Sequence, residues 1–262
     1  MNIDALYERI SNSKKYRDIC PDTVMRLLNE LAGRYKSDKA LERAVREKLH
    51  GVAGAYLPLE RMELPENLED DAALEQVLSM HVSTRERLPL SALDALYARL
   101  FQTTGEPRSI LDLACGLNPL YLKARYPAAE PILGIDISKR CAELCGGNCA
   151  DLLMDAALPK GRFHVALMLK MLPLMERERA GAANMLLREV NAEFIIASFP
   201  TRSLGGRNVG MAAHYERWLM ERLPQGRKVT DRYETVNEVY YILEEGEYAQ
   251  TLRGGDAHRQ PE

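Results

Sequence analysis

Two acidic residues and a turn of small residues have the types and spacing of a nucleoside site. The apolar run 109–114 ends in Ala-Cys-Gly at 114–116, a turn that lets backbone approach a ligand closely. Asp136 ends the next apolar run, where a carboxylate can accept both ribose hydroxyls. Asp151, fifteen positions later, could reach an adenine amino group. The combination predicts an adenosine site at the ends of consecutive strands.

Each of these features has an ordinary structural alternative. The turn lacks the G-x-G-x-x-G spacing of a dinucleotide site, and it could be a plain strand-to-helix turn. Asp136 could instead cap the helix that Ser138 and Lys139 open. Taken alone, Asp151 does not indicate an adenine contact, so only the combination of features favours a ligand.

The cysteines are the other candidates for chemistry. Cys141, Cys145 and Cys149 have three residues in each gap, which superficially resembles a zinc or iron–sulfur site. The glycines at 146–147 are expected to end the helix before Cys149, so we predict no metal. Cys115, within the turn, is expected to be a small buried side chain.

The elements that must position these residues alternate between strands and helices. The sequence predicts strands at 109–114, 132–136, 163–169 and 193–199, and helices near 120–127, 138–145 and 174–191. This alternation is typical of a parallel sheet with crossover helices. Residues 228–234 and 237–243 have no long helix between them, which predicts an antiparallel pair at one sheet edge.

The N-terminal segment is predicted to form a small helical domain over roughly residues 1–75. Pro21 suits a first helical turn, and apolar residues follow it at three- and four-residue spacing. The same periodicity recurs over 41–49, and a further helix is predicted from about 90 to 101. The last fifteen or so residues are predicted to be a loose tail.

Composition narrows the class of protein. The chain has 262 residues, 46% of them hydrophobic, and a net charge of -3, which excludes wholesale disorder and a histone-like polycation. Five cysteines are too few and too uneven for a disulfide scaffold. No signal peptide and no run of about 18 apolar residues is found. We therefore expect a cytoplasmic protein with no membrane contact.

Charge is distributed unevenly along the chain. In the first fifty residues bases outnumber acids 11 to 8, and Lys14, Lys15 and Arg17 lie close together. Residues 60–75 reverse this with seven acids and one base. The sign change beside two prolines predicts an exposed connection.

The turn and the two acids together resemble class I S-adenosylmethionine-dependent methyltransferases, whose Rossmann-like α/β fold has a seven-stranded sheet with a reversed final strand. Longer segments resemble one family, the aminoglycoside-resistance 16S ribosomal RNA methyltransferases that modify N-7 of guanine 1405 in the decoding site. These segments are SKKYRDICPDTV (13–24), LHGVAGAY (49–56), MHVSTRERL (80–88), DLACGLNPL (112–120), LKMLPLMERERAG (169–181) and SFPTRSLGGR (198–207). The resemblance spans about residues 2–245 and implies a methyltransferase domain at 76–245. The residues beyond it, 246–262, are the tail that composition predicts to be flexible.

The resemblance also implies which residues bind the cofactor, S-adenosylmethionine. They are Tyr56, His81, Val82, Ser83, Arg87, Ala114, Asp136, Asp151, Leu152, Leu169 and Glu178. Arg87 is a sensible partner for the methionine carboxylate, together with residues 81–83. Asp136 would meet the ribose. His81 has an alternative as a structural hydrogen-bond donor, and Glu178 has one as an exposed helical acid.

The implied partner is the 30S ribosomal subunit, met by the N-terminal domain. The implied RNA-facing residues are Lys14, Lys15, Arg17, Arg202 and Arg207. A compact cation cluster suits phosphate contacts, although a solvated helix face is the alternative. Guanine N-7 already has a lone pair, so alignment with the methyl group matters and no general base is needed. Lys170, near the target base, would contact a phosphate or the guanine oxygen.

Two other functions stay open at the level of sequence. One is a small-molecule methyltransferase that uses the same cofactor site, and the other is a non-catalytic ribosome-binding protein. Neither DNA nor a second copy of the chain is an expected partner, so we predict a monomer.

Overall fold

The computed structural model describes residues 2–53, 63–65, 67–201 and 211–246. The helices are α1 (Ile3–Ser11), α2 (Pro21–Ala32), α3 (Asp38–Ala53), α4 (Asp71–Ser79), α5 (Val82–Arg85), α6 (Leu90–Thr104), α7 (Asn118–Arg125), α8 (Lys139–Cys145), α9 (Leu172–Glu178), α10 (Ala182–Glu189) and α11 (Met211–Met220). The strands are β1 (Ile110–Leu113), β2 (Ile132–Asp136), β3 (Asn148–Cys149), β4 (Phe163–Leu169), β5 (Ala192–Pro200), β6 (Arg227–Glu234) and β7 (Glu238–Glu245). Across these ranges no helix combines the length and the apolarity that crossing a bilayer requires.

The strands form one seven-stranded sheet in the order β3-β2-β1-β4-β5-β7-β6. The pairs β2/β3, β1/β4 and β4/β5 are parallel, as the alternating pattern predicts. The strand order reverses at β1, and the carboxyl end of a strand at such a reversal is where α/β sheets bind ligands. The turn that follows β1 therefore occupies the position expected of a binding site.

The late pair of strands reverses direction, as predicted. β7 lies between β5 and β6 and runs antiparallel to both. Seven of its eight residues are buried, because it has a neighbour on each side, whereas β6 alternates between buried or half-buried and exposed residues as the edge strand. The insertion of β7 gives the mixed sheet that the resemblance implies.

The N-terminal helices share one apolar core. Its members come from α1, α2, α3 and the loop after α1, and they include Leu6, Ile10, Val24, Leu27, Leu28, Leu31, Leu41, Val45 and Leu49. The predicted helical spacing after Pro21 and over 41–49 is therefore confirmed. Ile137, which follows β2, also packs against this core.

One predicted helix is wrong. The single helix at 174–191 is two helices, α9 and α10, separated at Gly181, whose φ is 85°. The carboxylate of Glu176 accepts hydrogen bonds from the Gly181 and Ala183 amides, each at 3.1 Å, and these bonds satisfy the start of α10. The spacing of apolar residues does not reveal that Glu176 caps a second helix, so the sequence pattern alone predicts one helix.

The chain divides into two compact units, each made of several stretches of sequence. The first contains the described residues of Met1–Leu93, Ala114–Pro127 and Leu133–Ala157. The second contains those of Asp94–Leu113, Ala128–Ile132 and Leu158–Glu262. The boundaries at residues 75 and 245 stay predictions.

Candidate cofactor site and RNA-facing residues

The turn after β1 has an unusual backbone that only small residues adopt easily. Ala114 and Gly116 have φ values of 53° and 54°, in the left-handed region. The Cys115 amide donates to the Ile135 carbonyl at 3.1 Å, which ties the turn to β2. Pro119 lies in the first turn of α7, where its lack of a backbone N–H is tolerated. Ala114 is exposed, whereas Cys115 and Gly116 are buried, so the turn opens to solvent at Ala114, where the sequence predicts a ligand.

Gly116 faces His81 at very short range. A Cβ atom built on Gly116 would lie 2.5 Å from His81 Cε1, a distance that real side chains do not tolerate. His81 is buried, and its Nδ1 shares a 2.8 Å hydrogen bond with Ser83 Oγ. The structure therefore brings His81, the first of the predicted residues 81–83, against the predicted turn, with Ser83 bonded to it. The hydrogen bond also fits the structural alternative for His81.

Asp136 is fixed to the same turn. Its Oδ2 accepts from the Gly116 amide at 2.9 Å and its Oδ1 accepts from the Ser138 amide at 2.8 Å. Burial raises the pKa of Asp136, and the amide hydrogen bonds oppose that rise by stabilising the carboxylate. Ser138, not Asp136, caps α8, because its Oγ accepts from the Cys141 amide. The capping alternative for Asp136 is wrong.

Asp151 is buried and already holds two hydrogen bonds. Its Oδ1 accepts from the Leu153 amide at 2.9 Å, and its Oδ2 accepts from Arg26 Nε at 2.8 Å. Arg26 comes from α2 and is also buried, so the two charges form an ion pair away from water. Leu152, between the hydrogen-bonded positions, is buried as well. Sequence reasoning missed Arg26, which interrupts an apolar helix face 125 residues before its partner.

Val82 and Arg87 are the other residues predicted to bind the methionine end of the cofactor. Val82 begins the short helix α5 and is half-buried. Arg87 follows that helix, and its side chain is buried. Tyr56, predicted to cover the cofactor, lies outside the described residues.

The second unit holds Leu169 and Lys170. Leu169 ends β4, and the Lys170 amide donates to the carbonyl and to the Oγ of Ser198. Lys170 Nζ lies 4.0 Å from Glu238 Oε2, and the buried Glu238 accepts a hydrogen bond from Ser198 Oγ. Lys170 therefore faces a buried carboxylate that sequence reasoning did not find. Glu238 begins β7, far from Lys170 in the sequence, so no local sequence pattern indicates that the two side chains lie close together.

Glu178 is not the exposed helical acid that the sequence analysis gave as the alternative to a cofactor contact. Its side chain is only 4% exposed, so the alternative of an exposed helical acid is wrong. It ends α9, with Arg177 Nε at 3.9 Å. Its role at the cofactor stays a prediction.

The predicted cation cluster is exposed to solvent. Lys14, Lys15 and Arg17 lie in the loop between α1 and α2. Lys15 also borders a concave surface whose other basic side chains sequence reasoning missed. They are Arg9, Lys39, Arg43, Arg46 and His50. Glu42 and Glu47 line the same surface and form ion pairs with its three arginines. Arg202 and Arg207 lie outside the described residues.

The cysteines do not form a metal centre within the described residues, where no three His, Cys, Asp or Glu side chains are grouped to hold an ion. Gly146, with a φ of 59°, ends α8 before Cys149, as predicted. A hydrogen bond between the Cys20 and Cys149 side chains lowers the pKa of Cys20 to about 6 and raises that of Cys149. Cys115 is buried beside the turn, as expected.

The mixed sheet, the left-handed turn after β1 and the anchored acid at the end of β2 define the class I methyltransferase fold. Residues 12–242 match the ribosomal RNA methyltransferase (FmrO) family. This chain belongs to that family, so the predicted family and fold class are confirmed.

Individual relatives agree with this assignment. The chain is 39% identical to the 16S rRNA (guanine(1405)-N(7))-methyltransferase of Serratia marcescens, over 93% of this chain and 98% of that protein. It is 34% identical to the protein of the same name from Frankia casuarinae, over 92% and 93%. The crystal structure of 16S rRNA methyltransferase RmtF in complex with S-adenosyl-L-homocysteine superimposes with a TM-score of 0.81 at 36% identity, over 93% and 98%.

Proposed function

We propose that this chain transfers a methyl group from S-adenosylmethionine to N-7 of guanine 1405 in 16S rRNA. The observation that carries the proposal is the anchoring of Asp136 to the Gly116 amide at 2.9 Å, at the strand reversal of the sheet. This arrangement holds an acid beside the turn that carries the exposed Ala114, and an acid at the end of the second strand suits the ribose of an adenosine moiety. The relatives that are 39% and 34% identical to this chain are named for the proposed reaction.

The residues around the turn fit the parts of the cofactor. Asp136 would accept the ribose hydroxyls through the carboxylate lone pairs that its two amide bonds leave free. Arg87, with the 81–83 segment, would bind the methionine carboxylate. Asp151 and Leu152 would bracket adenine, with Arg26 holding the Asp151 carboxylate from behind.

Methyl transfer to guanine N-7 requires the protein to align the reacting groups, and it requires no proton transfer. Guanine N-7 is a nucleophile with a free lone pair, and the cofactor supplies an electrophilic methyl group on sulfur. The chain must hold N-7 in line with that methyl group, which is catalysis by positioning. Lys170, near Glu238, would donate to a phosphate or to the guanine oxygen. No residue has to act as a general base.

Substrate binding would begin at the N-terminal helices. Lys14, Lys15 and Arg17 are exposed and adjacent, and RNA affinity depends mainly on such phosphate contacts. We assign the assembled 30S subunit as the partner, met in the cytoplasm by a monomer. Analytical ultracentrifugation of the enzyme with and without subunits tests both the stoichiometry and the oligomeric state.

Methylation adds a positive charge and a methyl group to the decoding site. Both changes disfavour a polycationic aminoglycoside there, so expression of the chain should confer resistance. A susceptible host should show raised inhibitory concentrations, and Asp136→Ala should return them to the level of the empty vector.

The decisive measurement is the position of the methyl group. Purified enzyme, 30S subunits and labelled S-adenosylmethionine should give one modified guanine by mass spectrometry of the 16S rRNA. Asp136→Ala should abolish the label, whereas Glu189→Ala, on the exposed end of α10, should not. Label without subunits would favour a small-molecule methyltransferase. Binding without any label would favour a non-catalytic ribosome-binding protein.

A further inference from the structure

The loop between α1 and α2, which carries the cation cluster, is joined by main-chain hydrogen bonds to the segment after Asp136. The Cys20 amide donates to the Ile137 carbonyl at 2.7 Å, and the Lys139 amide donates to the Asp18 carbonyl at 2.8 Å. Ile19 and Ser138 face each other as an antiparallel bridge. Residues 18–20 therefore act as a short strand paired with 137–139, within the first compact unit.

Asp18 adds a side-chain clamp to this pairing. One carboxylate oxygen accepts from Ser138 Oγ at 2.6 Å, and the other accepts from the Arg140 amide at 2.9 Å. Ser138 is the residue whose amide binds Asp136 Oδ1 at 2.8 Å and whose Oγ caps α8. The Asp18 carboxylate thus fixes, through one residue, the loop that orients Asp136.

The clamp lies directly beside the cation cluster. Arg17 precedes Asp18 and is exposed, and its carbonyl accepts from Lys139 Nζ at 2.9 Å. A phosphate bound at Lys14, Lys15 and Arg17 would order this loop. Ordering the loop would in turn order the segment that it is bonded to, because the two share backbone and side-chain hydrogen bonds.

We propose that Asp18 is a positioning residue for S-adenosylmethionine, which couples subunit docking to cofactor affinity. The inference rests on the proposed function, because it requires Asp136 to bind the cofactor and the cation cluster to bind RNA. Asp18 does not touch the cofactor. It holds Ser138 and the start of α8, so that Asp136 presents its carboxylate in one orientation. Coupling of this kind is reciprocal, so cofactor should also tighten docking by the same factor.

The first test compares cofactor affinity among full-length variants. Asp18→Ala should weaken S-adenosylhomocysteine binding about fivefold to tenfold by isothermal titration calorimetry. It should raise the KM for S-adenosylmethionine, measured with saturating 30S subunits, by more than this factor, because the loss of coupling multiplies the loss of affinity, while kcat changes less than twofold. Asp18→Asn keeps an oxygen for the Arg140 amide and should recover at least half of the lost affinity. Asp4→Ala, an acid removed from the exposed start of α1, is the matched control and should bind as the unaltered protein does.

The second test measures coupling directly. S-adenosylhomocysteine should bind the unaltered enzyme at least about fivefold more tightly when the enzyme is docked on 30S subunits, a typical size for coupling between sites. In Asp18→Ala this ratio should fall to near one. Thermal melting shows whether each variant is folded. If Asp18→Ala does not fold, the coupling ratio is measured on Asp18→Asn, in which it should lie below that of the unaltered enzyme.

The outcomes separate this inference from the proposed function. If Asp136→Ala loses cofactor affinity and Asp18→Ala keeps it, Asp18 is not a positioning residue. If Asp136→Ala itself keeps full affinity, the proposed cofactor site is wrong. A coupling ratio that is the same in the unaltered enzyme and in Asp18→Ala would contradict the coupling, whatever its size.

Discussion

Gly116 meets two demands at one position, and the two can be separated by mutation. Its φ of 54° disfavours any residue with a Cβ, and a Cβ there would meet the His81 ring at 2.5 Å. Gly116→Ala should therefore cost stability and also displace either His81 or the turn. We expect S-adenosylhomocysteine to bind at least about tenfold more weakly, which corresponds to about 1.4 kcal/mol. Calorimetric titration measures this loss.

Gly105 provides the control for backbone strain alone. It has a φ of 77°, but a Cβ there would meet nothing within 4 Å. Gly105→Ala should lower the free energy of unfolding by about 1 kcal/mol, from strain, and leave cofactor affinity unchanged. Equal losses of affinity in the two variants would show that strain, and not contact with His81, explains the need for Gly116.

The Arg26–Asp151 pair should be among the most sensitive polar contacts of the described residues. Both side chains are buried, so removing one leaves the other charge away from water without its partner. Arg26→Met should lower the free energy of unfolding by about 3–5 kcal/mol, measured by urea denaturation. Arg43 and Glu47 form a pair of similar length, 2.9 Å, with 82% and 65% of their side chains exposed. Arg43→Met should cost less than about 0.5 kcal/mol. A similar loss in both variants would contradict the role of burial.

The sequence predicts the position of a single residue when the neighbouring residues show which element it belongs to. Asp136 follows an apolar strand, and that context is enough to predict its position beside the turn. Arg26 and Asp18 lack such a signal, because each reaches a partner more than a hundred positions away. Their partners are chosen by how the N-terminal helices pack, which single-sequence periodicity does not encode.

At the scale of elements, Asp231 joins the edge strand β6 to helix α6. Its Oδ2 lies 2.8 Å from Arg99 Nη1 and also accepts from Thr103 Oγ1. The hydrogen bond from Arg99 and then that from Thr103 lower the pKa of Asp231 to about 2. A carboxylate with a depressed pKa stabilises the fold above its unfolded pKa, near 4, and this contribution is lost as pH falls toward 2.

Asp231→Asn should therefore destabilise the protein at neutral pH but not in acid. We expect a loss of about 1–2 kcal/mol at pH 7, below the full value of the pKa shift because both side chains are partly exposed. The difference between variant and unaltered protein should shrink between about pH 4 and pH 2 in urea unfolding. Asp155→Asn, at an exposed position, should show no such convergence. A constant difference across this pH range would contradict the ion-pair explanation.

The elements themselves were predictable to different degrees. Apolar runs such as 163–169 identified β4 residue for residue, because a buried parallel strand is continuously apolar. The short strand β3 escaped prediction, since two residues carry no periodicity. The break at Gly181 was also missed, because apolar spacing continues on both sides of it and the cap comes from Glu176.

For the molecule as a whole, the distribution of charge matters more than its sum. The net charge of -3 would repel RNA if it were spread evenly. The loop between α1 and α2 instead presents three adjacent cations, beside the further basic side chains of the concave surface on α1 and α3. Docking should therefore depend on position, and a change of net charge elsewhere should have little effect.

Salt dependence tests this distribution. Each phosphate contact that a cation makes releases counterions, so log K falls with log salt concentration by roughly 0.7–0.9 per contact. Replacing Lys14, Lys15 and Arg17 together by glutamine should weaken 30S binding and reduce that slope by about 2–3, measured by competition binding at several salt concentrations.

The matched control removes three exposed cations from the second unit. Replacing Arg108, Arg188 and Lys228 by glutamine changes the net charge equally, and their side chains are 63–68% exposed. This control should keep the slope of the unaltered protein, because a Debye length of about 8 Å screens charges that do not contact RNA. If both triple variants lose the same slope, docking follows net charge and the assigned cluster is wrong. If only the variant of Lys14, Lys15 and Arg17 loses slope, the loop after α1 is a site where the chain contacts phosphates of the ribosomal RNA.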